Sequence, residues 1–116
     1  MKPTDEQKAL FALCVTQYCN ILNLRDWRID VSDKPASKGS VADVSISAED
    51  RLAVIRIGKD WGPKPITDLM LRETALHEVL HIFLRPLIDA AVSRDQSAID
   101  GIEHSTIVLL EKLLAE

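Results

Sequence analysis

Residues 77–81 read His-Glu-Val-Leu-His, and this stretch carries the chemistry of the chain. Two histidines four positions apart on a helix lie about 40° from each other, so both rings can ligate one ion. Glu78 lies beside them, where its carboxylate can reach a metal-bound water. The pattern is that of the H-E-x-x-H zinc hydrolases, in which the histidines hold the metal and the glutamate is the general base. Its neighbours Ala75, Leu76, Val79, Leu80, Ile82, Phe83 and Leu84 are all apolar. A helix that is apolar all round is expected to be buried. Buried polar groups without partners cost roughly 2–7 kcal/mol each. A bound cation would remove much of that cost, so one zinc ion per chain is expected, on His77 and His81, with Glu78 as base. The competing reading is a core helix whose histidines are hydrogen-bonded to neighbours.

A catalytic zinc usually has three protein ligands plus water. The only other histidine is His104, and neither Cys14 nor Cys19 has a metal-binding motif around it. The candidates for the third ligand are therefore Glu103 and His104, neighbours on a last predicted helix. Glu103 is in phase with Ile107, Leu110 and Leu114, which the helical spacing makes the centre of a buried stripe. His104 falls on a mixed flank. A carboxylate in an apolar stripe needs a reason, and coordination supplies one. Glu103 is the favoured third ligand and His104 the alternative.

The elements that must position these residues are legible in the patterning. Thr4 and Gln7 form a capping box, followed by Leu10, Phe11, Cys14, Val15, Tyr18, Ile21 and Leu22 at helical spacing, which predicts a helix over residues 5–22. Trp27, Ile29 and Val31 alternate with polar residues, as do Ala42, Val44 and Ile46, and Ala53, Ile55 and Ile57 make a third alternating set. The short link at 49–51 predicts an antiparallel hairpin of strands two and three. Trp61, in a loop broken by Gly62, Pro63 and Pro65, is read as a ring covering one end of the core, with a lid or substrate contact as the alternative. Thr67 is the expected N-cap of the motif helix, which should run over 68–84 and stop at Pro86. A last helix should begin between Asp95 and Gly101, burying Ile99, Ile102, Thr106, Ile107, Leu110, Leu113 and Leu114. The fold class expected is α+β, in a single domain over residues 1–116.

Composition narrows the function. The net charge is −4 with no basic cluster, which argues against a nucleic-acid surface. No run approaches membrane-spanning length. The apolar stretch at 9–15 follows Asp5 and Glu6 and has no small-residue cleavage site after it, unlike a signal peptide. The two cysteines form no C-x-x-C pair and suggest reduced thiols. A cytoplasmic protein with a protein or peptide substrate, and no nucleic-acid or membrane partner, is expected. A histidine-helix ribonuclease would want a third histidine soon after the second, and residues 82–92 hold none.

The order of these parts resembles the minimal gluzincins, small zinc metallopeptidase domains of zincin-like fold, and most of all the short peptidases encoded by tailed phages and prophages. The likeness spans nearly the whole chain, with motif-level detail only at Ala75 to His81 and at Glu103. It implies zinc on His77, His81 and Glu103, with Glu78 as general base, in an endopeptidase. It also implies that the 41–47 strand is the sheet edge along which an extended peptide adds. One position departs: larger gluzincins carry an Asp four residues after the ligand Glu, and Ile107 stands there, leaving Asp100 as a substitute partner. The oxyanion donor is not marked; His104, Tyr18 and Arg72 are the candidates. A zinc-stabilised protein-binding domain without activity is the alternative reading.

Overall fold

Three helices and a three-stranded mixed sheet make up the chain, seen in a computed structural model that describes residues 1–114. The elements run α1 (Asp5–Ile21), β1 (Arg28–Ser32), β2 (Ala42–Ser47), β3 (Leu52–Ile57), α2 (Asp68–Ser93) and α3 (Gln96–Leu114). The class is α+β, as the patterning indicates. Among the described residues no helix is long and apolar enough to cross a membrane.

Both expected helix starts are formed. Thr4 Oγ1 accepts from the Gln7 amide at 3.1 Å, and the Thr4 amide donates back to Gln7 Oε1 at 2.9 Å, closing the capping box. Thr67 Oγ1 accepts from the Met70 amide at 3.1 Å to start α2. The sheet order is β1-β3-β2, with β1 parallel and β2 antiparallel to β3. The hairpin is therefore as expected, and β2 is an edge strand. Alternation along β3 buries Ala53, Ile55 and Ile57. These meet Phe11, Cys14 and Val15 of α1 and Leu71, Ala75, Val79 and Ile82 of α2 in one core. Trp61 is buried in that core, its Nε1 donating to Gly58 O at 3.2 Å, so the ring closes one end of the core. Ile21, placed on the buried stripe of α1 by its spacing, is exposed. Both cysteines are free thiols, and burial pushes the Cys19 pKa up to about 11.

Two expectations about the C-terminal half are corrected. Pro86 does not end the motif helix; α2 continues through it for 26 residues in all. An internal proline costs about 3 kcal/mol through its missing N–H and its ring clash. Packing beyond it works against that cost, for Ala90 is buried and Pro86 itself lines a groove against α3. The stop is Arg94, in the left-handed region at φ 56°, whose N–H closes the last turn on Ala90 and Ala91. The buried face of α3 also agrees with the expected one only at Ile99, Ile102 and Thr106. Ile102, Thr106 and Leu109 are half-buried, whereas Ile107, Leu110 and Leu113 are exposed; the Leu114 side chain lies outside those described. The packing partner of α3 is α2, on which it stacks, and the sheet packs on α1 and α2.

Gly58, at the end of β3, has no room for a side chain. A Cβ there would fall far inside contact with Ser40 O, and the Gly58 amide donates to Val41 O at 2.6 Å. That close approach holds the entry of β2 in place. Gly58→Ala is expected to destabilise the fold by about 1–3 kcal/mol, through backbone displacement in a packed region. A lowered urea midpoint with unchanged slope checks it; an unchanged midpoint contradicts it.

Candidate metal centre

The rotation of α2 is fixed by its apolar contacts. Leu71, Ala75, Val79 and Ile82 are fully buried against the core, so the positions on the opposite side must face outward. His77 and His81 are on that outward side and are exposed. The motif helix is thus one-sided rather than apolar all round, since Leu84 and Ile88 on the same stripe are 40% and 48% exposed. Glu78 falls at the boundary and is 6% exposed.

The two imidazoles meet. Their Nε2 atoms are 3.2 Å apart, with the rings edge to face at a centroid distance of 4.8 Å. Two ring nitrogens at this distance need a proton or a cation between them. A tetrahedral zinc with Zn–N bonds near 2.0–2.1 Å sets its ligand nitrogens about 3.3 Å apart. The separation of the two nitrogens therefore matches two corners of such an ion.

Beside the pair lies a cleft of about 440 Å³, bounded by Ser40, Val41, Ala42, Glu73, Thr74, His77 and Glu78. One wall is α2 and the other is the start of the edge strand β2. Burial pushes the Glu78 carboxyl up from its ordinary value, and the nearby Asp43 charge adds to this; the His77 and His81 charges oppose it. Asp43 belongs to β2 and is tied down twice. Its carboxylate accepts from the Ser37 amide and hydroxyl, each at 2.9 Å, and from Arg56 Nε at 2.7 Å. Desolvation raises its pKa, but these hydrogen bonds and the Arg56 charge outweigh it and hold the carboxyl below its ordinary value.

The remaining candidates lie elsewhere. Glu103 is exposed on α3, off the buried stripe to which its phase assigned it. Among the described residues, no group of three His, Cys, Asp or Glu side chains converges on one point. His104 lines a different groove, with Trp27 and Arg51. Tyr18 is half-buried against the core, and Arg72 is exposed outside the cleft walls. Asp100 accepts from Gln96 Nε2 at 2.7 Å, within its own helix. Glu73 and Thr74 are the cleft residues that sequence reading passed over. They stand four positions before His77 and Glu78, so helical spacing could have placed them on the same face. Ser40 could not have been found this way, because it comes from the loop that leads into β2.

No protein-family model, curated protein or solved structure matches the chain. The reading of the site rests on its residues and their geometry.

Asp43 gives a pH test of how the edge strand β2 is held. Its depressed pKa means that its stabilisation is fully present above the unfolded-state value of about 3.9 and is lost as pH falls through the folded-state value. Asp43→Asn is expected to cost about 1 kcal/mol at pH 7, by loss of the charged hydrogen bonds to Arg56 and Ser37. The gap between variant and wild type should close as pH falls below about 4. Urea unfolding across pH 3–7 checks this; a gap that is constant with pH contradicts it.

Proposed function

We propose that this chain is a zinc-dependent peptidase of zincin-like fold, an endopeptidase acting on protein or peptide substrates in the cytoplasm. The observation that carries the proposal is the His77–His81 pair, with ring nitrogens 3.2 Å apart beside a buried Glu78 in a cleft walled by a sheet edge. His77 and His81 are two ligands of one zinc per chain, and Glu103 is the third. The zinc, when bound, supplies a water acidified to a pKa near 7 and polarises the scissile carbonyl.

The protein groups supply the rest. Glu78 takes the proton of the attacking water and passes it to the leaving amine. A carboxyl whose burial raises its pKa is a stronger proton acceptor than a solvated one, which suits that task. The outer side of β2 is free of strand partners in this sheet, so an extended peptide can add to it and run past the histidines. Free thiols and the absence of a basic cluster agree with a reducing compartment and with a substrate that is not a nucleic acid.

A second reading has one observation in its favour. Among the described residues no third ligand converges on the histidine pair, as expected of a zinc-stabilised binding domain without activity.

Protein purified without chelator is expected to hold about one zinc per chain, and His77→Ala or His81→Ala should each lower affinity at least about tenfold. Glu78→Gln should keep the zinc and lower cleavage of a peptide library by about 10²–10⁴. Metal analysis and a chelator-controlled cleavage assay check both. A wild type that takes up no zinc at neutral pH defeats the metal reading. Zinc without cleavage by the wild type favours the binding domain.

A further inference from the structure

The cleft beside the histidine pair carries a negative charge that nothing in the fold compensates. Glu73 lines it one helical turn before His77, about 6 Å along the α2 axis. It is exposed, and among the described residues it forms no salt bridge. Its own helix face offers no Lys or Arg, because Leu69, Met70, Leu76 and His77 stand three and four positions away. Arg72, its neighbour in sequence, is turned about 100° from it around the helix. No Lys or Arg lines the cleft. On the sheet, Arg56 is already engaged, donating to Asp43 at 2.7 Å.

A second carboxyl points to the same lack. Glu78 is 6% exposed and lines the cleft, and among the described residues it has no hydrogen-bond or salt-bridge partner. Buried polar groups are normally paired, so its partner is expected from what enters the cleft. Thr74 and Ser40 add two hydroxyls to the lining. Among the described residues neither hydroxyl has a partner, whereas Thr16 and Thr106 bond back to carbonyls of their own helices. The cleft therefore offers acceptors and no fixed cation. Its volume of about 440 Å³ is within the usual range of ligand sites.

We propose that Glu73 determines specificity, pairing with a Lys or Arg side chain of a peptide bound in this cleft. The proposal rests on the peptidase reading above and names its substrate class. A guanidinium or ammonium makes charge-assisted hydrogen bonds to the Glu73 carboxylate, with the hydroxyls as further acceptors. His77 and His81 stand about 6 and 12 Å beyond Glu73 along α2. An extended peptide rises about 3.3 Å per residue, so the basic residue falls about two to four positions from the bond held at the histidines. The net charge of −4 favours the approach of such peptides.

Matched peptides test this. Blocked peptides carry Arg, or its uncharged isostere citrulline, at each position in turn. Cleavage is measured on the zinc-supplemented wild type. Binding is measured by calorimetry on Glu78→Gln and, as a second host, on wild type with chelator. At one or more positions Arg is expected to be favoured about tenfold over citrulline, in kcat/KM and in affinity, and less so at high salt. Glu73→Gln removes a charge that has no partner in the fold, and should bring that ratio to within about twofold of one. Glu73→Lys should favour Glu over Gln instead. Cleavage without a preference for Arg, or a preference that survives Glu73→Gln, overturns the proposal and leaves the peptidase reading standing. A Glu73-dependent preference in binding, with no cleavage by the wild type, sustains the recognition of basic peptides and removes the peptidase. Neither binding nor cleavage overturns both.

Discussion

The rotation of α2 about its own axis is the constraint on which the site depends. Four fully buried side chains, Leu71, Ala75, Val79 and Ile82, set it against the core. With burial worth about 1.5–3 kcal/mol for each large aliphatic side chain, a rotation of even one residue would be prohibitive. His77 and His81 are then forced outward and into line, and Glu78 is forced to the margin between core and cleft. The direction in which the histidine pair faces is therefore a by-product of core packing rather than of contacts made by the rings themselves.

The same packing creates the electrostatic character of the cleft. Glu78 is carried into a low-dielectric margin, where its charged form is disfavoured. On β2, next to the cleft residue Ala42, the Asp43 carboxyl is held below its ordinary pKa by Ser37 and Arg56. Two carboxyls close enough to feel each other are thus held in different environments, one solvating its charge through fixed donors and one losing solvation. The cross-strand pairing of Asp43 with Arg56 also ties the edge strand β2 to β3.

The α2–α3 hairpin obeys a different balance. Past Pro86 the helix leaves the main core, and its stability depends on stacking with α3. That stacking uses a stripe interrupted by Thr106, while a second apolar stripe on α3 stays in solvent. The hairpin is a limb with two usable faces, of which the fold covers one.

The sequence determined what depends on near neighbours in the chain. Thr4 and Thr67 start helices because their hydroxyls reach amides three residues on. The alternation at 53–57 specifies a strand with one buried face. The spacing of His77 and His81 brings their rings together on any helix, whatever surrounds it. What the tertiary structure alone decided were matters of phase and partner. Residues 99–113 are apolar at Ile99, Ile102, Ile107, Val108, Leu109, Leu110 and Leu113, which covers most of the helix circumference. No periodicity argument can then say which stripe is buried, and Glu103 was assigned to the wrong one for that reason. Pro86 reads locally as a stop, and only the packing of the segment beyond it made continuation worthwhile. Ser40 and Val41, in the loop before β2, reached the cleft through their close approach to Gly58, which has no side chain. Local spacing fixes which side chains meet within an element, whereas the faces that elements turn to one another are set by competition among all the apolar surfaces at once.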